Sequence, residues 1–200
     1  MVSKAKFSVI DLETTSLDVK KAEILSVAIL PMIGTKILIG DYYFTFIRPK
    51  KMNAESIKIH GIDTKTIKNA PRFEDVMNII FKKIENSIIV GCDVGFDIEI
   101  LKKYFKNKKP RFKPEWIDII QLEKFLIKRN NIKRDINTFE DILRIYNLDD
   151  SYRHSALADA YQSAHIFQLQ LKRIISYGIS VDELLSIGKR KHEFVPYYIG

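Results

Sequence analysis

Apolar and β-branched residues cluster or alternate with polar ones over about 6–12, 23–31 and 36–47, and each stretch predicts a strand. "MIGTK" at 32–36 supplies the hairpin turn between the second and third. "RPKKMNAES" breaks the pattern, with Asn53 placed as a helix cap, and "IHGID" (59–63) reads as a turn between short helices, the second capped by Asp63. The period then changes. Over 71–87, Phe73, Val76, Met77, Ile80, Phe81 and Ile84 fall on one helical face. "SIIVG" (87–91) predicts a short buried strand, and 97–107 an amphipathic helix carrying Ile98, Ile100, Leu101 and Phe105. "EWIDII" (115–120) predicts a strand that runs into a helix over 120–129. Further helices are expected over 137–147, 155–175 and 180–187, with Gly178 between the last two.

A leading antiparallel hairpin followed by α/β crossovers predicts one α/β domain, a mixed five-stranded sheet flanked by helices. The chain has 200 residues, 46% of them hydrophobic, enough for a core without covalent staples. Its single cysteine, Cys92, excludes an internal disulfide and a multi-cysteine zinc site. The opening "MVSKAKF" lacks the apolar stretch of a signal peptide and no segment approaches a membrane span, so a soluble cytoplasmic protein without a membrane partner is expected. A formal charge of +8 attracts polyanions, of which nucleic acid is the commonest inside cells. The basic runs are "KKYFKNKKPRFK" (102–113), "KRNNIKR" (128–134) and "GKRKH" (188–192). Tyr104 and Phe112 offer stacking surfaces beside them; Phe105 and Trp116 are expected in the core.

Charge also appears where an apolar strand should simply end. In "FSVIDLETTS" (7–16), Asp11 and Glu13 sit two apart and so project to the same side. Their repulsion amounts to about 1–4 kcal/mol at ~4 Å, depending on the dielectric, and something must offset it. Other acids follow at strand–helix junctions, where α/β ligand sites gather: Asp93, Asp97 and Asp118. His154 and Asp159 begin the long helix. Five positions on one helix would place them about 140° apart. Ser155 resolves this as an N-cap, leaving His154 outside the helix with freedom suited to proton transfer. Asp11, Glu13, Asp97 and Asp159 together form an all-oxygen donor set, which favours hard divalent cations, Mg²⁺ or Mn²⁺, and two such ions would offset the repulsion.

In this order and spacing the motifs resemble the DEDD exonuclease family, histidine subclass, typified by the proofreading epsilon subunit of bacterial DNA polymerase III. "DLETTSL" matches the family's Asp-x-Glu, "GFDIEIL" its Phe-Asp, and "HSALADA" its His-x-Ala-x-x-Asp-Ala. The tyrosine of the sister subclass would fall at Ser155. "IHGIDTKTIKNAPRFEDV" also looks like the family's segment between the first two motifs. The resemblance covers roughly 5–175, which sets an exonuclease domain over 1–177 and leaves 178–200 as a C-terminal helix and tail of unassigned role. It implies a ribonuclease H-like fold and two divalent cations held by Asp11, Glu13, Asp97 and Asp159. His154 becomes the general base, and Thr14, Leu17, Ile59, His60 and Phe96 hold the terminal nucleotide. Nucleoside 5′-monophosphates would leave one at a time from the 3′ end of DNA, single-stranded ends above all. A 3′–5′ exoribonuclease and a non-catalytic polymerase-associated module are the competing implications, and a DNA polymerase subunit is an implied partner. One departure stands out: where the family commonly has His and Asn, this chain has Cys92 and Asp93.

Overall fold

In the computed structural model, strand β1 (Lys6–Thr14) divides its side chains between two apolar layers. Phe7 and Val9 enter one cluster, and Ile10 and Leu12 enter a second on the opposite face, as strand alternation requires. The structure describes residues 1–189 apart from Asn53, Asn107, Pro110 and Arg111 and the side chains of Ala54 and Glu55. The proposed cap at Asn53, part of the 102–113 run and "GKRKH" beyond Lys189 therefore lie outside the described residues.

β2 (Ile24–Ile33) pairs antiparallel with β1, from Lys6 opposite Ile33 to Glu13 opposite Ser26. β5 (Ile88–Gly91) lies parallel to β1 on its other side, and β6 (Trp116–Asp118) parallel to β5. Two short strands, β3 (Lys36–Ile37) and β4 (Tyr43–Phe46), share the outer edge of β2. The sheet is thus mixed and has six strands, not five, because the stretch expected as one strand over 36–47 is interrupted. The interruption has a local cause. Ile37 pairs with Met32 and Tyr43 with Ile29, so 38–42 must cross the space of only two β2 residues, Leu30 and Pro31. Pro31 accepts from the Leu38 N–H at 2.9 Å but has no N–H to return, and the excess chain coils into a 3₁₀ turn at Ile39–Asp41.

Helices cover both faces. α1 (Ala54–His60) follows β4, while α2 (Phe73–Ile84) and α3 (Val94–Phe105) pack over Ile10, Leu12, Ile24 and Ile89. On the other face α4 (Ile119–Arg129), α5 (Phe139–Ile145), α6 (Ala156–Ser176) and α7 (Val181–Gly188) pack over Phe7, Val9, Val90 and Ile117. Leu184 of α7 is fully buried in that cluster, and a Cβ on Gly188 would meet Ile117 Cγ2 at 2.8 Å. Among the described residues, no helix is long and apolar enough to cross a membrane.

Candidate active site

Asp11 and Glu13 continue the row begun by Phe7 and Val9, on the face that α6 covers. The register sets Asp11 opposite Ala28. Ala28 in turn packs against Ala156 and Ala160 of α6. These three positions carry only methyl groups, with the partly buried Phe44 and Leu157 packed against them, and the first turns of α6 settle close on the strands. Asp159, carried between those two alanines, then reaches the strand acids: one carboxylate oxygen from each of Asp11, Glu13 and Asp159 lies within 4.8 Å of the others. The alanines of "HSALADA" are spacers that set this approach.

Asp97 arrives by a different route. β5 runs so near β1 that a Cβ on Gly91 would meet the Ile10 carbonyl oxygen at 2.9 Å. Asp93 then turns the chain at φ +48°, a conformation Asp tolerates better than most residues, and α3 starts at Val94. Asp97 in its first turn is buried. It stands outside the triple of converging oxygens but close enough to interact: burial pushes the Asp97 carboxyl well up, and Glu13, Asp93 and Asp118 add to the rise. Burial likewise pushes Asp11 well up, reinforced by Asp97, Asp159 and Glu13. Glu13 is pushed up to about 7 by burial and then by Asp159. Crowding and burial favour the protonated form of these acids unless a cation neutralises them.

Asp159 is buried and holds its two oxygens differently. Oδ2 accepts from Arg153 Nη1 at 2.6 Å and from the His154 backbone N–H at 3.1 Å. Oδ1 is buried with no hydrogen-bond partner among the described residues, an acceptor available to a cation. His154 lies outside α6 as expected, at φ +64°, with Ser155 at the N-cap. Its imidazole is exposed and makes no hydrogen bond among the described residues. Across the site, burial and the neighbouring charge of His154 lower the pKa of His60, whose Nδ1 accepts from the Ile62 N–H at 3.0 Å and whose Nε2 has no partner among the described residues.

The other residues expected to hold the nucleotide differ in exposure. Thr14 ends β1 and donates its hydroxyl to the Ser16 carbonyl. Leu17 and Ile59 are 50% and 42% exposed, so neither is a core residue. Phe96 is half-buried against the α2–α3 layer. Sequence reasoning passed over Arg153. Besides Asp159, it pairs through Nε with Glu140 at 3.0 Å, and its guanidinium lies 4.6 Å from the centre of the Phe139 ring. Its only signal was a lone basic residue before "HSALADA". Asp118 sits behind Asp97 as the N-cap of α4, accepting from the Ile120 N–H at 2.8 Å; burial, then Asp93, pushes its carboxyl up to about 7.

Comparison with known proteins decides what this centre belongs to. The family model RNase_T, described as Exonuclease, matches residues 8–167. The chain belongs to the exonuclease family. DNA polymerase III PolC-type of Thermotoga maritima is 29% identical over 178 residues, which are 88% of this chain and 12% of that protein. The chain therefore spans about an eighth of that relative's length. DNA polymerase III subunit epsilon of Aquifex aeolicus is 28% identical over 179 residues, covering 86% of this chain and 84% of the relative. Exonuclease X, solved in complex with 5′ overhanging duplex DNA, superposes with a TM-score of 0.68 at 21% identity, over 91% of this chain and 99% of that one. The exonuclease fold is ribonuclease H-like. Its acidic centre suits hard divalent cations: the clustered donors are carboxylate oxygens, and Asp159 in the cluster keeps a buried oxygen, Oδ1, without a partner among the described residues.

Proposed function

We propose that this exonuclease is a 3′–5′ enzyme that uses two divalent cations, Mg²⁺ or Mn²⁺, to hydrolyse the terminal phosphodiester of DNA, above all at single-stranded 3′ ends, releasing nucleoside 5′-monophosphates. The observation that carries it is the convergence of Asp11, Glu13 and Asp159 from opposite ends of the chain, with Asp97 beside them and the His154 main chain tied to Asp159. Asp11, Glu13, Asp97 and Asp159 would hold the cations, which supply Lewis acidity toward the phosphoryl oxygens and the attacking water. His154, exposed and outside α6, takes the proton from that water. Thr14, Leu17, Ile59, His60 and Phe96 border the terminal nucleotide. DNA is favoured by the polymerase relatives and by the DNA complex of Exonuclease X. The same relatives support a cytoplasmic role beside a replicative polymerase.

The test is degradation of 5′-labelled single-stranded DNA, duplex DNA and RNA, with Mg²⁺ and with chelator. A ladder shortening from the 3′ end, fastest on single-stranded DNA and abolished by chelator and by Asp11→Ala, is the expected result. His154→Ala lowers the rate by ~10²–10⁴. Metal-independent cleavage, or full activity without Asp11, refutes the assignment, and an unchanged pH–rate profile in His154→Ala removes it as the base.

A further inference from the structure

We propose that a basic groove on the α2–α3 side holds the backbone of the nucleic-acid strand on the 5′ side of the scissile bond, an inference that rests on the nuclease reading above. The groove encloses about 500 Å³ between the loop after Thr14, the chain leaving β4 and the start of α2. It is rimmed by Lys20, Lys21, Arg48, Lys50, Arg72 and Lys103 against two carboxylates, Glu23 and Glu74. Six cations and two anions leave +4 in this one feature, half of the chain's formal +8.

Two members are committed to building the walls. Lys103 Nζ donates to the carbonyls of Val19, Lys20 and Ala22, the last at 2.7 Å, and fixes the loop. Glu23 accepts from the backbone N–H groups of Lys50 and Lys51, at 2.5 and 3.3 Å, and joins that loop to the segment after β4. Other cations are left uncompensated. Among the described residues Lys20, Lys50 and Arg72 make no ion pair, and Lys21 pairs only with Asp18 at 3.6 Å. Cations gathered around a concavity in excess of the anions there raise its potential, and a phosphate backbone supplies anions along its length.

Placement supports the same occupant. Glu13 and Phe46 both pair with Ser26, so the groove beyond β4 opens at the end of the sheet that carries the acids. β4 lies two strand spacings from β1, about 10 Å. The acids face α6 and the groove opens on the α2–α3 side, but the loop after Thr14 borders the acids and also walls the groove, so a strand whose last phosphodiester sits at the acids reaches the groove by passing around this end of the sheet.

K20Q/K50Q/R72Q removes three charges whose side chains make no ion pair among the described residues. Binding of a labelled 12-nucleotide single strand is followed by anisotropy across salt concentrations, with chelator in place of metal. The variant is expected to bind about tenfold more weakly or worse at low salt. The slope of log K against log salt should shrink by about 2, since each phosphate contact on a single strand contributes about 0.7. Its Mn²⁺-dependent hydrolysis of thymidine 5′-(p-nitrophenyl phosphate), too small to reach the groove, should match wild type. An unchanged slope overturns the proposal; so does an equal loss on the small ester, which would place the effect at the acids. A wild-type protein that cleaves neither the ester nor 5′-labelled nucleic acid removes the nuclease reading and leaves the slope difference to decide whether the groove binds nucleic acid.

Discussion

Arg153 contacts three groups at once: Glu140 at the start of α5, the Phe139 ring, and Asp159. Its guanidinium compensates a buried carboxylate, and removing one partner of such a pair strands the other. Arg153→Gln should therefore destabilise the metal-free protein by about 2–4 kcal/mol in denaturant unfolding. The deficit should shrink at saturating Mg²⁺, where the cations assume part of the neutralisation of Asp159; an equal deficit with and without metal would mean that Arg153 serves packing alone. The convergence of Asp11, Glu13 and Asp159 and the place of His154 outside α6 were legible in the sequence because these residues lie at short offsets from a strand end or a helix cap. Arg153 was not, because its partners lie on both sides of it along the chain and nothing local announces a pair that closes only when α5 and α6 dock. Exposure of Leu17 and Ile59 was equally hidden, since an apolar letter does not say which way its element faces.

The approach of α6 to the sheet is set by methyl groups at Ala28, Ala156 and Ala160. Replacing one with a bulky side chain must lift the helix or strain the strand. Ala160→Leu should cost about 1–3 kcal/mol of stability and, by moving Asp159 away from Asp11 and Glu13, lower metal-dependent hydrolysis by more than tenfold. Titrating Mn²⁺ by its paramagnetic resonance signal reads the loss directly: weaker binding is expected, and unchanged binding would show that α6 does not set the spacing. At this scale most of the fold was readable. β1, β2, β5 and the apolar faces of α2 and α6 follow from period alone. The third strand was over-read because alternation over 36–47 carries no information about how many β2 residues are available to pair, and because the missing N–H of Pro31 acts from a neighbouring strand.

Across the whole molecule, burial sets the sign of the pH response. Asp118 rises from 3.8 to about 7 inside the fold, so the folded chain prefers it protonated. That preference is fully present below about pH 4 and is lost as pH climbs through 7, a change of up to about 4 kcal/mol. Asp11, Glu13 and Asp97 are raised as well and act in the same direction. Metal-free protein should thus unfold at lower denaturant at pH 8 than at pH 5.5, and Asp118→Asn should flatten that dependence, whatever its effect on absolute stability; an undiminished slope in the variant would contradict the assignment. The basic groove is also a property of this scale. Five of its six cations come from three short stretches, 20–21, 48–50 and 72, none of them among the runs singled out in the sequence, whereas the runs at 102–113 and 128–134 supply only Lys103. The split of the acids between β1 and α6 has one more consequence. A growing polypeptide displays Asp11 and Glu13 early, but lacks the histidine and the last carboxylate until almost all of this domain has been synthesised. The cluster of Asp11, Glu13 and Asp159 can therefore close only after α6 has been made, so the centre assembles late, when nearly the whole domain is present.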